Sequence, residues 1–110
     1  MKIAIASMEK ELSSKIDPRL GRARYIIIHD SGKSDFEVID NQEFSQLSTG
    51  AGVKAAEVIV DKNVDYIVSQ NFGPKALQVF KAANVKAAVI SSGTIAEAIE
   101  NIKNGQFYLV

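Results

Sequence analysis

Thr49-Gly50-Ala51-Gly52-Val53-Lys54-Ala55-Ala56-Glu57-Val58-Ile59-Val60-Asp61-Lys62 runs, two residues later, into Asp65-Tyr66-Ile67-Val68-Ser69. In the first part apolar side chains return at helical spacing, with Val53, Ala56, Ile59 and Val60 on one face. The second part is a short apolar run of the kind that forms a buried strand. The alternation continues downstream. Residues 73–84 read as a helix with Ala76, Leu77, Phe80 and Ala83 inward, and 86–91 as a strand. Residues 94–104 read as a helix with Ile95, Ala98, Ile99 and Ile102 inward, and 106–110 fits either a short edge strand or a packed tail. Strands separated by helices need crossover connections and therefore pair in parallel. This half of the chain makes the protein α/β.

Upstream the period is two. Residues 2–7 alternate Ile3 and Ile5 with Ala4 and Ala6, a strand whose alanine face lets a neighbour approach closely. Residues 24–30 carry Tyr25-Ile26-Ile27-Ile28, and 35–40 form a third strand joined through a turn at 31–34, which predicts an antiparallel hairpin. Residues 8–21 form a long polar loop with an Asp17-Pro18 turn, and such loops are more often functional than connecting. The element order is βββαβαβα, a mixed sheet with helices on both faces, with no linker or repeat to divide residues 1–110 into more than one domain.

Composition removes several classes of function. The 46% apolar and 24% charged residues are globular values, which exclude a disordered chain. Thirteen basic residues balance thirteen acidic ones, which weighs against a general nucleic-acid binder, because phosphate neutralisation supplies most of such affinity. The absence of cysteine excludes disulfides, thiolate catalysis and Cys-ligated zinc or iron–sulfur clusters, and the single histidine, His29, excludes a His-rich metal site. His29 itself reads as a structural residue at a strand end. No apolar run approaches the roughly 20 residues of a membrane span, and 1–7 is too short for a signal sequence. A soluble cytoplasmic protein without nucleic-acid or membrane partners is expected.

Two features point to an anion. All three arginines, Arg19, Arg22 and Arg24, fall in one short stretch with Gly21 among them and no acid between them. A guanidinium fork suits carboxylate or phosphate, while arginines braced against neighbouring groups would give the same pattern. Three helices start on glycine: at Gly50 and Gly52, at Asn71-Phe72-Gly73-Pro74-Lys75, and at Ser92-Gly93-Thr94. Helix starts offer free N–H groups and a positive dipole end, although ordinary capping needs the same residue types. Gly50-x-Gly52-x-x-Ala55 imitates a dinucleotide fingerprint, but no strand leads into it and no acid follows the next strand.

Lys2-Ile3-Ala4-Ile5-Ala6-Ser7, Leu20-Gly21-Arg22-Ala23, Gly50-Ala51-Gly52-Val53-Lys54-Ala55-Ala56, Gly73-Pro74-Lys75-Ala76 and Ile95-Ala96-Glu97-Ala98-Ile99 occur in one order. As a set they resemble the small accessory domains of nitrogenase iron–molybdenum cofactor biosynthesis, the NifX-like group and the C-terminal domain of NifB. The resemblance spans nearly the whole chain. It implies a three-layer α/β/α, ribonuclease H-like fold with a five-stranded mixed sheet, order 3-2-1-4-5, strand 2 antiparallel. The family loop usually reads His-Phe-Gly-Arg-Ala, and here Arg19-Leu20 stand in place of His-Phe. A nuclease of this fold would carry a metal-binding carboxylate on its first strand, and residues 2–7 have none.

The resemblance implies a non-enzymatic binding or carrier protein for an anionic metal–sulfur cofactor or precursor, an iron–sulfur or iron–molybdenum cofactor held transiently, with cofactor-assembly proteins as partners. Arg19 and Arg22 would grip it, and Gly21, Gly50, Gly52, Asn71, Gly73 and Lys75 would add backbone and charge; no catalytic or metal-ligating residue is expected. The alternative is a small enzyme or sensor domain that binds a phosphorylated metabolite at the same glycine- and arginine-lined surface. Arg22→Ala is expected to weaken ligand binding and to leave folding little changed.

Overall fold

The computed structural model describes residues 1–33 and 35–110. The strands are β1 (Lys2–Ser7), β2 (Tyr25–Asp30), β3 (Phe36–Asp40), β4 (Tyr66–Ser69), β5 (Lys86–Val89) and β6 (Tyr108–Leu109). They form one sheet in the order β3-β2-β1-β4-β5-β6. The order expected from the resemblance is present and is extended by a sixth strand: the tail pairs antiparallel with β5, Tyr108 opposite Val89. β1 runs antiparallel to β2, with Ile5 opposite Ile27, and parallel to β4, with Ala4 opposite Ile67. The β2–β3 hairpin is antiparallel as expected. Of its predicted turn, Ser34 lies outside the described residues.

The helices are α1 (Gln42–Ser45), α2 (Ala51–Val60), α3 (Pro74–Ala82) and α4 (Ile95–Lys103), with a 3-10 turn at Leu20–Arg22. The alternation in β1 sorts them into layers. Ala4 and Ala6 face a core shared with Ala55, Ala56 and Ile59 of α2 and Phe80 of α3. Ile3 and Ile5 face the opposite core, shared with Ile95, Ala98, Ile99 and Ile102 of α4. Alanines on the strand let α2 and α3 sit close to the sheet, and isoleucines fill the wider gap to α4.

Two expected helix faces are corrected. α2 buries Ala51, Ala55, Ala56 and Ile59, whereas Val53 and Val60 are only half-buried at its flanks. Small residues win the inward positions because the helix packs against both α3 and the 3-10 turn. Ala83 is exposed, because α3 ends at Ala82 and the chain turns through Asn84 in the left-handed region, φ 60°. The polar loop after β1 is less polar in role than in composition: Ile16 is buried in the α4-side core and tied by a bridge to Ser7.

Candidate anion-binding cavity

The loop after β1 is pinned at the carboxyl end of the sheet. Asp17 N–H donates to Ala6 O at 2.8 Å, and the buried Ser69 Oγ donates to Asp17 O at 3.3 Å. Asp17 Oδ1 in turn accepts from Arg19 N–H at 3.0 Å, which starts the 3-10 turn. That turn lies on the first turn of α2. An ideal Cβ at Gly21 would fall 2.6 Å from Gly52 N and 2.8 Å from Gly52 Cα, so only glycine fits. Gly21 was expected to admit a ligand close to the backbone; the contact it makes possible is with α2.

Around this junction is a cavity of about 460 Å³, lined from the 3-10 turn by Arg19, Gly21 and Arg22. Ser48, Thr49, Gly50 and Gly52 line it from the entry to α2, and Asn71, Phe72, Gly73 and Ala76 from the β4–α3 connection. Seven of the eight residues singled out from the sequence therefore meet in one place. Lys75 does not: it is exposed and absent from the lining, being turned about 100° along the helix from Ala76. Ser48, Thr49 and Phe72 line the cavity and carried no signal in the sequence beyond their nearness to glycine. Phe72 is placed by an edge-on contact with Phe80, ring centroids 6.2 Å apart.

The three glycine-led helix starts are not equivalent. At α4 a capping box uses the first turn: Glu97 N–H donates to Thr94 Oγ1 at 3.2 Å and Thr94 N–H to Glu97 Oε1 at 2.9 Å. Ile95 and Ala96 N–H are spent on Ser14 O and Leu12 O, both at 2.9 Å. α2 and α3 have no side-chain cap. The first bond within α2 is Lys54 N–H to Gly50 O at 3.0 Å, which leaves the N–H groups of Ala51, Gly52 and Val53 outside the helical ladder. In α3 the first is Leu77 N–H to Gly73 O, also 3.0 Å, and Pro74 removes one donor, leaving Lys75 and Ala76. The two uncommitted starts are the two that border the cavity.

The arginines differ as well. Arg22 Nη1 donates to Ser45 O at 2.7 Å and to Leu47 O at 2.6 Å. Through Nη1 it links the 3-10 turn to the segment leading to α2, while its side chain also lines the cavity. Arg24 lies outside the cavity, 3.5 Å from Glu9 and 5.8 Å from the centre of the Tyr25 ring. The Arg19 side chain lines the cavity and has no hydrogen bond or ion pair among the described residues. Of the described residues, none that lines the cavity has a carboxylate, imidazole or thiol, so the lining side chains carry positive charge from Arg19 and Arg22 and no negative charge. Among the described residues no three His, Asp or Glu side chains gather as a metal site. His29 is buried at the other end of β2, opposite Ile3, with Nδ1 unpartnered. No helix among the described residues is long and apolar enough to cross a membrane.

Comparison with known proteins agrees with the fold and narrows the family. A family model described as dinitrogenase iron-molybdenum cofactor matches residues 1–105. The apo form of the orange protein from Desulfovibrio gigas superimposes with a TM-score of 0.93 at 30% identity, covering 99% of this chain and 92% of that one. A NifB-like protein from Thermotoga, solved by NMR, gives 0.83 at 35% identity, with 98% and 91% covered. An uncharacterized protein of Methanocaldococcus jannaschii is 29% identical over 109 residues, 96% of this chain and 88% of its own length.

Proposed function

Since the chain belongs to the dinitrogenase iron-molybdenum cofactor family, we propose that it is a non-enzymatic binding or carrier protein for an anionic metal–sulfur cofactor or precursor, held in the cavity between the starts of α2 and α3. One observation carries this reading: two helix starts with uncommitted N–H groups border a cavity that also holds Arg19 and no carboxylate. Oriented N–H groups and a guanidinium stabilise a bound anion without any rearrangement.

The donor set also defines the manner of binding. With no thiol, imidazole or carboxylate in the lining, the protein offers the metal no side-chain ligand of the usual kinds. Recognition then falls on the outer atoms of the ligand, its sulfides, oxo groups or carboxylates, which accept hydrogen bonds from Ala51, Gly52 and Ala76 N–H and from Arg19. Such a ligand arrives assembled and leaves assembled, which suits a carrier.

The test is an anaerobic titration of the full chain with thiomolybdate, the simplest soluble anionic metal sulfide, followed by its visible absorption and by calorimetry. Saturable binding that weakens as salt rises supports the reading. A chain that ignores thiomolybdate but is stabilised by a sugar phosphate supports the phosphorylated-metabolite alternative. A chain indifferent to both overturns the anion site.

A further inference from the structure

The two arginines that line the cavity are held in opposite ways, and we propose that Arg22 is a positioning residue that aims the start of α2, while Arg19 alone supplies the side-chain charge that meets the ligand. The proposal rests on the anion-binding reading of the cavity and divides the labour within it.

Arg22 acts on α1. That helix has four residues and no basic side chain in its last turn, and a helix so short has almost no stability of its own. Its last carbonyl, Ser45 O, is taken by a cation from another part of the chain, which also takes Leu47 O two residues beyond the helix. A single nitrogen, Arg22 Nη1, reaches both Ser45 O at 2.7 Å and Leu47 O at 2.6 Å. Leu47 N–H bonds Phe44 O at 3.1 Å, closing the turn that leads through Ser48 and Thr49 to Gly50. Gly50, in the left-handed region at φ 78°, swings the chain into α2. Holding Ser45 and Leu47 therefore holds the direction in which the first N–H groups of α2 point. From the other side, Gly21 lies against Gly52 with no room for a Cβ. The 3-10 turn, the end of α1 and the start of α2 form one fixed wall.

Arg19 has the complementary arrangement. Its backbone is anchored, N–H to Asp17 Oδ1 at 3.0 Å, while its exposed side chain lines the cavity without a partner among the described residues.

Because both bonds of Arg22 leave from one nitrogen, lysine can replace it in a brace but not in a bidentate grip on an anion. This separates the two roles. Hydrogen exchange on the unliganded full chain reads the brace at the Ser45 and Leu47 amides, and thiomolybdate titration reads the site. Arg22→Gln is expected to speed exchange at both amides about tenfold or more and to weaken thiomolybdate binding. Arg22→Lys is expected to restore both, and Arg19→Gln to weaken binding with exchange unchanged. Weaker binding in Arg22→Gln with unchanged exchange, or failure of lysine to restore binding, overturns the proposal, since Arg22 then touches the ligand. Faster exchange with unchanged affinity also overturns it, since the brace then aims nothing. Should Arg22→Gln fail to fold, Arg22→Lys alone decides through its binding. Should the native chain ignore thiomolybdate, the anion reading fails, and unchanged exchange in Arg22→Gln separately removes the brace.

Discussion

Gly21→Ala adds one methyl group where the fold leaves no space. The new Cβ would lie 2.6 Å from Gly52 N, 2.8 Å from Gly52 Cα and 3.0 Å from Ala51 C. All three are backbone atoms in the first turn of α2, so no side chain can swing aside. Carbon contacts settle near 3.5–4.0 Å, so the 3-10 turn and α2 must part by roughly 1 Å. Overpacking of this kind costs about 1–3 kcal/mol. At about 2.1 cal/mol/K per residue, a chain of 110 residues unfolds with an entropy near 0.23 kcal/mol/K, so Tm should fall by about 4–13 °C. The same separation widens the cavity wall and moves the Gly52 N–H, so thiomolybdate should bind more weakly. Differential scanning calorimetry and a thiomolybdate titration on one preparation read both effects. A native Tm would refute the tight docking of the turn on α2, and a lowered Tm with native affinity would refute the link between that docking and the site.

Gly73→Ala is the matched control: its Cβ meets nothing within 4 Å and its backbone, φ −71°, suits alanine, so Tm should stay within about 2 °C while the methyl crowds the cavity and lowers affinity; a large fall in Tm would contradict this. Arg19→Gln should weaken thiomolybdate binding about 10–100-fold, the value of one charge-assisted hydrogen bond, with Tm unchanged; a stability loss without an affinity loss would make Arg19 structural. Phe80→Ala empties a fully buried site in the core beneath α3 and should cost about 3–5 kcal/mol, measured by urea unfolding; a cost below about 1 kcal/mol would mean that this core repacks around the gap.

The sequence was most legible where one physical rule acts alone. The alternation of Ile3 and Ile5 with Ala4 and Ala6 marked the face of β1 open to close packing, and Ile95, Ala98, Ile99 and Ile102 marked the inner face of α4 without error. At α2 helical spacing placed Ala56 and Ile59 inward but missed Ala51 and Ala55, because hydrophobicity favours Val53 where close approach favours alanine, a choice made by neighbours distant in sequence. That the loop near 20 and the start of α3 share one end of the sheet was legible, because Ser7 and Ser69 end parallel neighbours; no strand leads into Gly50, so its place beside them came only from the packing of the 3-10 turn on α2. What each residue does there was not legible. Arg19 and Arg22 are alike in sequence, and only the carbonyls of Ser45 and Leu47 separate them. Nor could three similar glycine-led starts be ranked before Ser14 and Leu12 were seen to use the donors of α4.

The central claim is that the starts of α2 and α3 together bind an anionic metal–sulfur ligand. Amide chemical-shift mapping of the full chain during anaerobic thiomolybdate titration tests it most directly. The amides of Ala51, Gly52 and Ala76 are expected to shift together with one saturation curve, while those of Ile95 and Ala96, already bonded to Ser14 O and Leu12 O, stay in place. Shifts centred on the start of α4, or scattered over the surface lysines without saturation, would contradict it.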